Sequence, residues 1–216
     1  ESRTRETCSV RKNPYKHPNQ RGCSLRELSL HLLDIAENSI AAGASGIVVS
    51  VCEDLTADEL WLEVADNGKG MSPEMLASVL DPFTTSRLSR KVGLGIPLLK
   101  QAAEACRGYL RVESELGKGT KVTAKFQHSH IDRMPLGNLE DTFLTLLLGA
   151  PSVHWVFNYQ YNQQSYRFDD AEFKEALGEI PLSDFRVIEF LSTTIHNGIA
   201  KVINITTEKG VVYANN

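Results

Sequence analysis

The segment Asp66-Asn67-Gly68-Lys69-Gly70-Met71 follows an apolar run, Leu60 to Ala65, that alternates like a half-buried strand. That order restricts what the chain can build. A carboxylate at a strand end is well placed to accept a hydrogen bond from an exocyclic amine. Glycines two and four residues further on let the backbone approach a flat ring, because they carry no Cβ. The same residues also suit a tight turn, since Asp-Asn-Gly is a common turn sequence.

Three other segments carry related chemistry. Asp34 and Asn38 are four residues apart on an expected helix and share one of its faces. An acid and an amide stacked in this way can hold a water and a magnesium ion beside phosphates, because magnesium prefers oxygen ligands. The polar face of an ordinary amphipathic helix has the same pattern. Asp81-Pro82-Phe83-Thr84-Thr85-Ser86 is followed by Val92-Gly93-Leu94-Gly95-Ile96, which opens a helix. The free N–H groups and the dipole of such a helix start favour an anion. Gly117-Lys118-Gly119-Thr120 lies between two expected strands, where a hairpin turn is the plain reading.

Taken together and in this order, the four segments resemble the motifs of the GHKL superfamily. That superfamily includes gyrase, a heat-shock chaperone, histidine kinases and mismatch-repair ATPases. The stretch D-I-A-E-N-S-I-A-A-G-A-S from Asp34 resembles the N box, and its E-N-S-x-x-A-G-A wording is nearest to mismatch-repair ATPases. D-N-G-K-G-M resembles the G1 box, D-P-F-T-T-S the F box and V-G-L-G-I-P-L-L-K-Q the G2 box. E-S-E-L-G-K-G-T-K-V resembles the closing segment of histidine kinase ATP domains. The resemblance runs from about Leu25 to Phe126. It implies an α/β fold of the Bergerat type: a two-layer sandwich whose mixed, mainly antiparallel sheet carries helices on one face.

The resemblance also implies a ligand, ATP with Mg2+, and a role for each matching residue. Asn38 is expected to coordinate the magnesium. Asp66 is expected to bind the adenine amine, with Gly68 in the same box and with Gly70 and Met71 along the ring. Thr120 supports that contact through a water. Phe83, Thr84 and Thr85 anchor a lid over the nucleotide, and Gly93, Leu94 and Gly95 hold phosphates. Asp34 stands where the ATPases carry a glutamate base, so it is the expected catalytic residue. Lys91 replaces the usual first glycine of the G2 box; it either reaches the γ-phosphate or is a solvated lysine.

Beyond the motifs, periodicity divides the chain. Residues 1–23 hold an excess of basic over acidic side chains and no apolar pattern, as expected of a disordered basic arm. Residues 24–127 form the ATP-binding unit. Its first helix is expected to be capped by Ser24 with Glu27 as a capping box, and to end at Gly43. Residues 128–137 are the expected linker, and residues 138–205 a small α+β C-terminal appendage. Within the appendage, Trp155, Phe157, Tyr159 and Tyr161 are placed for one face of a sheet. Asp169 is expected to cap a short helix ending at Gly178, and Ser183 another ending at Gly198.

The net charge of −4 over 216 residues leaves no nucleic-acid footprint. No apolar run is long enough to span a bilayer and no leader is evident, so a cytoplasmic protein without membrane contact is expected. Cys8, His17 and Cys23 fit no zinc spacing, and the four cysteines are expected as free thiols. None of the six histidines is followed by Glu or Asp, the usual wording of a phosphoacceptor site. Self-phosphorylation on histidine is therefore not expected, and His31 is expected to be packed. The functions in contention are phosphoryl transfer from Mg-ATP to water or to a partner protein, a regulatory module that only binds ATP, and a serine kinase of the anti-sigma-factor type. The expected partner is a protein: a phosphoacceptor, or a second copy in a homodimer.

Overall fold

The computed structural model describes residues 27–79, 95–178 and 180–211, the last seven as backbone only. The 1–23 arm, Ser24 and the expected lid therefore lie outside the described residues. The elements in chain order are α1 (Leu28–Ala41), β1 (Gly46–Asp54), β2 (Glu59–Asp66), α2 (Pro73–Val79), α3 (Gly95–Ala105), β3 (Tyr109–Glu115) and β4 (Gly119–Gln127). They continue with α4 (Leu139–Gly149), β5 (His154–Tyr161), β6 (Gln164–Asp169), α5 (Asp170–Leu177) and α6 (Phe185–Val211).

The six strands form one sheet in the order β3-β4-β2-β1-β5-β6. Every pairing is antiparallel except β1 with β5. Burial follows the two-residue period of a strand. Ile47, Val49 and Val51 of β1 and Leu60, Leu62 and Val64 of β2 are buried on one face, as are Val122, Ala124 and Phe126 of β4. Ser50, Glu63, Lys121 and Thr123, at alternating positions, are polar and more exposed. Among the described residues, buried side chains of α1, α3, α4 and α6 join those of the apolar face in one core, which makes a two-layer α/β sandwich.

The parallel ladder from Gly46↔His154 to Glu53↔Tyr161 joins β5 to β1 along its whole length. The sheet thus crosses the division at residues 128–137. In that register Trp155, Phe157 and Tyr159 fall on the same face as Ile47, Val49 and Val51, and all three are buried. Phe143 of α4 stacks on Phe157 at 4.7 Å between ring centroids and meets Trp155 and Phe168 edge-on. At the end of the sheet away from Asp66, the Tyr159 hydroxyl donates to Glu53 Oε1 at 2.8 Å, and His128 Nε2 lies 2.9 Å from Glu53 Oε2. Burial and the Glu53 carboxylate push the Tyr159 phenol well above its ordinary pKa.

Two local expectations are corrected. Glu27 occupies the N-cap of α1 without a side-chain cap. The carbonyls of Pro135 and Leu136 take the N–H groups of Leu28 and Ser29 instead, at 3.0 and 2.8 Å. A segment distant in sequence satisfies a helix start that the local pattern assigned to a capping box. The last helix neither begins at Ser183 nor stops at Gly198. Asp184 Oδ1 accepts from the Arg186 N–H at 2.9 Å, and the helix runs on to Val211. Gly198 is used for room: a Cβ there would lie 2.2 Å from the Tyr166 ring. No helix among the described residues is long and apolar enough to cross a membrane.

Candidate functional site

The site forms where β2 and β4 end beside the C-terminal half of α1. Gly43, with φ +75°, turns the chain out of α1 toward β1. Asn67 braces that turn: its Oδ1 accepts from the N–H groups of Ser45 and Gly46, both at 2.9 Å, and its Nδ2 donates to Ser45 Oγ. The Lys69 N–H donates to Ala42 O at 3.0 Å, so the loop after β2 is tied to the end of α1.

Asp66 closes β2 opposite Thr120 of β4. Its Oδ1 accepts from the Gly68 N–H at 2.8 Å and the Thr120 N–H at 3.2 Å. Its Oδ2 accepts from Ser39 Oγ at 2.6 Å. Three donors thus fix the carboxylate. The glycines around it allow close approach of backbone to backbone. A Cβ on Gly70, where φ is +63°, would lie 2.0 Å from Glu115 O; one on Gly119, with φ +106°, would lie 1.9 Å from Asp66 O. Neither position has room for a side chain. Ser114 closes the network: its hydroxyl accepts from the Met71 N–H, donates to Gly119 O and meets Thr120 Oγ1, each at 2.9 Å. With the Ser114 proton on Gly119 O, the Thr120 hydroxyl donates to Ser114 and keeps its lone pairs free.

Above Asp66 opens a cavity of about 330 Å³. That is within the usual range for a small-molecule site, about 300–1,000 Å³. Its wall is largely apolar, from Ile35, Ala42, Met71, Met75, Val79, Ile96 and Val122. Asn38, Ser39, Asp66, Lys69 and Thr120 supply the polar groups. Of the residues expected from sequence, Asn38, Asp66, Gly70, Met71 and Thr120 meet on this cavity, and Gly68 lies beside it through its bond to Asp66. Phe83, Thr84, Thr85, Lys91, Gly93 and Leu94 lie outside the described residues.

Asp34 and Gly95 meet one another, each next in the chain to a residue of the cavity wall, Ile35 and Ile96. A Cβ on Gly95 would sit 2.1 Å from Asp34 Oδ2, so the carboxylate rests against the backbone at the first residue of α3. A negative charge is favoured at that end of a helix. One turn before Asp34 on α1, His31 is 2% exposed, packed as expected. Burial lowers its pKa and the nearby Asp34 charge only partly offsets this, so the ring is neutral near pH 7. Ser39 and Ser114 were not singled out in the sequence. Ser39 follows Asn38 directly, within the E-N-S wording; Ser114 had no signal beyond its strand position.

A family model described as histidine kinase-, DNA gyrase B-, and HSP90-like ATPase matches residues 24–130. Sporulation kinase D of Bacillus subtilis is 30% identical over 101 residues, which is 47% of this chain and 20% of that protein. Sporulation kinase C of the same organism is 32% identical over 103 residues, 46% of this chain and 24% of that one. The chain thus spans about a fifth to a quarter of the length of these curated relatives. The Aquifex aeolicus MutL ATPase domain complexed with ADP is similar in structure, with a TM-score of 0.45 and 15% identity over 71% of this chain and 68% of that one. Residues 24–130 are an ATP-binding domain of the GHKL superfamily, of the histidine kinase-, gyrase- and HSP90-like kind.

Proposed function

We propose that this chain binds Mg-ATP in the cavity above Asp66 and directs the γ-phosphoryl group to water or to a side chain of a partner protein. The observation that carries the reading is the Asp66 carboxylate, fixed by Ser39, Gly68 and Thr120 on the polar side of an otherwise apolar cavity. Such a group accepts the adenine amine without having to reorganise. Met71 and Ile96 flank the flat ring, and the free lone pairs of Thr120 reach it through a water. Asn38 offers one amide oxygen on the cavity wall, which fits magnesium, an ion that keeps most of its shell as waters and phosphate oxygens. When bound, the ion supplies neutralising charge to the phosphates. Asp34 takes the proton of the attacking hydroxyl.

The test is incubation with γ-labelled ATP and magnesium. Label in free phosphate or on a co-purified protein supports transfer, whereas unconsumed ATP supports binding alone. That second reading has one observation in its favour. Asp34 rests on Gly95 instead of lining the cavity. In that reading ATP only sets the arrangement of the elements around it and so the affinity for a partner.

Asp66→Ala tests the pocket itself. Loss of a charge-assisted hydrogen bond to the base costs about 1.5–3 kcal/mol, roughly tenfold to a hundredfold in ATP affinity. Calorimetry showing unchanged affinity in a folded Asp66→Ala chain would discard the assignment.

A further inference from the structure

A second cluster of polar groups lies at the outer edge of the sheet, among residues that follow the GHKL match. His154 opens β5, Asp169 closes β6 and Asp170 begins α5. The ladder Val156↔Asp169 brings the two strand ends together. His154 Nε2 lies 2.8 Å from Asp169 Oδ1 and 3.7 Å from Asp170 Oδ1. One ligand atom from each of the three lies within 4.8 Å of the others.

Asp170 calls for an explanation. Its side chain is 0% exposed, and neither carboxylate oxygen takes a well-formed hydrogen bond among the described residues: Oδ2 has the Lys174 ammonium as an ion pair, and Oδ1 has only His154 Nε2 at 3.7 Å. A buried carboxylate oxygen without a donor is costly, and most such groups find a partner. The two acids are held alike. Lys174 Nζ stands 2.6 Å from Asp170 Oδ2 and also donates to Val153 O. Arg167 Nη2 donates to Asp169 Oδ2 at 2.9 Å. In each carboxylate a cation holds Oδ2, and Oδ1 faces His154. Asp169 Oδ1 accepts in addition from the Ala171 N–H at 3.2 Å.

We infer that His154 Nε2, Asp169 Oδ1 and Asp170 Oδ1 bind one divalent first-row transition ion of the zinc type. One imidazole with two carboxylates suits zinc, manganese or iron(II) better than calcium, which collects six or more oxygens. Tetrahedral metal–ligand bonds of about 2.0–2.2 Å put neighbouring ligands roughly 3.4 Å apart, between the 2.8 and 3.7 Å that separate His154 Nε2 from the two Oδ1 atoms. Binding takes the Nε2 lone pair, sends any proton held between Nε2 and Asp169 to solvent, exchanges the His154–Asp169 contact for two bonds to one ion, and gives Asp170 Oδ1 a partner. Half of the His154 side chain is exposed, which leaves the remaining positions to water. Lys174 and Arg167 orient the acids from behind, as outer-shell partners do at metal sites. Their charges also keep the affinity moderate.

The alternative is a hydrogen-bonded cluster that holds no metal, and the test separates the two. Chelator-treated, nucleotide-free full chain is titrated with zinc chloride by calorimetry, and with cobalt chloride by visible absorption. The parent should bind one ion, with a cobalt spectrum free of thiolate charge-transfer bands. His154→Ala and Asp170→Asn should each weaken that binding by about tenfold or more. His154 is half exposed, so its loss leaves folding intact; Asp170→Asn is compared at matched folding by circular dichroism. Equal zinc affinity in the parent and His154→Ala would overturn the site. So would a thiolate spectrum for the one bound ion, or no binding by the parent, which would leave a hydrogen-bonded cluster without metal.

Discussion

Asp34→Asn should lower ATP turnover by about 10²–10⁴-fold, the usual contribution of a positioned general base, and leave ATP affinity within a few-fold of the parent. Asp34 lies one helical turn before Asn38, and its carboxylate rests on the backbone of Gly95, where α3 begins. Asp34 is assigned the proton and none of the contacts to the base, so most of the ground-state affinity rests on other residues. The amide keeps the size of the side chain and removes its ability to take a proton. Asp34→Glu carries the carboxylate one methylene further from α1 and should match or exceed the parent rate. A base about 1 Å out of place costs on the order of 10²-fold. Single-turnover phosphate release beside equilibrium ATP binding reads the two effects apart. An Asp34→Asn chain as fast as the parent would remove Asp34 from the chemistry and favour the regulatory reading.

Phe143→Ala should destabilise the whole chain by about 3–5 kcal/mol, as large-to-small changes at buried aromatics do. For a chain of this size that is a fall of roughly 6–20 °C in Tm. Phe143 is 1% exposed and touches Phe157, Trp155 and Phe168 with its ring. Those residues sit on β5 and β6, and β5 is hydrogen-bonded to β1 of the ATP-binding half. The cavity left by the ring therefore loosens packing on strands that the nucleotide site shares. Calorimetry should show one transition, shifted as a unit, and a matching loss of ATP affinity near the new midpoint. Two separate transitions, only one of them moved, would show that residues 138–205 unfold on their own.

Local chemistry was legible in the sequence and long-range pairing was not. The strands β1, β2, β3 and β4 follow from alternation, and Asp66 with its glycines announces itself because only glycine tolerates the approach of Glu115 O and Asp66 O. The alternation of Trp155, Phe157, Tyr159 and Tyr161 was legible as a strand, yet nothing in His154 to Tyr161 names β1 as its neighbour. Parallel pairing leaves no turn between the partners to read. Gly198 reads as a stop because glycine commonly ends helices, and only the Tyr166 ring above it explains why the helix continues. Ser39 was legible as one more helical position. Its bond to Asp66 spans 27 residues and exists only once α1 is laid against the sheet. The His154 cluster was hidden for the same reason: fifteen residues separate His154 from Asp169 until the hairpin closes.

The pairing of β5 with β1 also protects the chain from its own copies. Without residues 138–205, β1 would lie at the margin of the sheet, with one side of its backbone unpaired and Ile47, Val49 and Val51 less covered. A bare, regular margin of that kind invites a strand from another molecule. A chain shortened to end near His130 would keep every residue proposed to touch ATP, and it would tend to form oligomers or aggregates by adding strands at β1. The C-terminal segment then acts as an intramolecular stopper, occupying the side of β1 where an unrelated extended peptide would otherwise be zipped into the sheet.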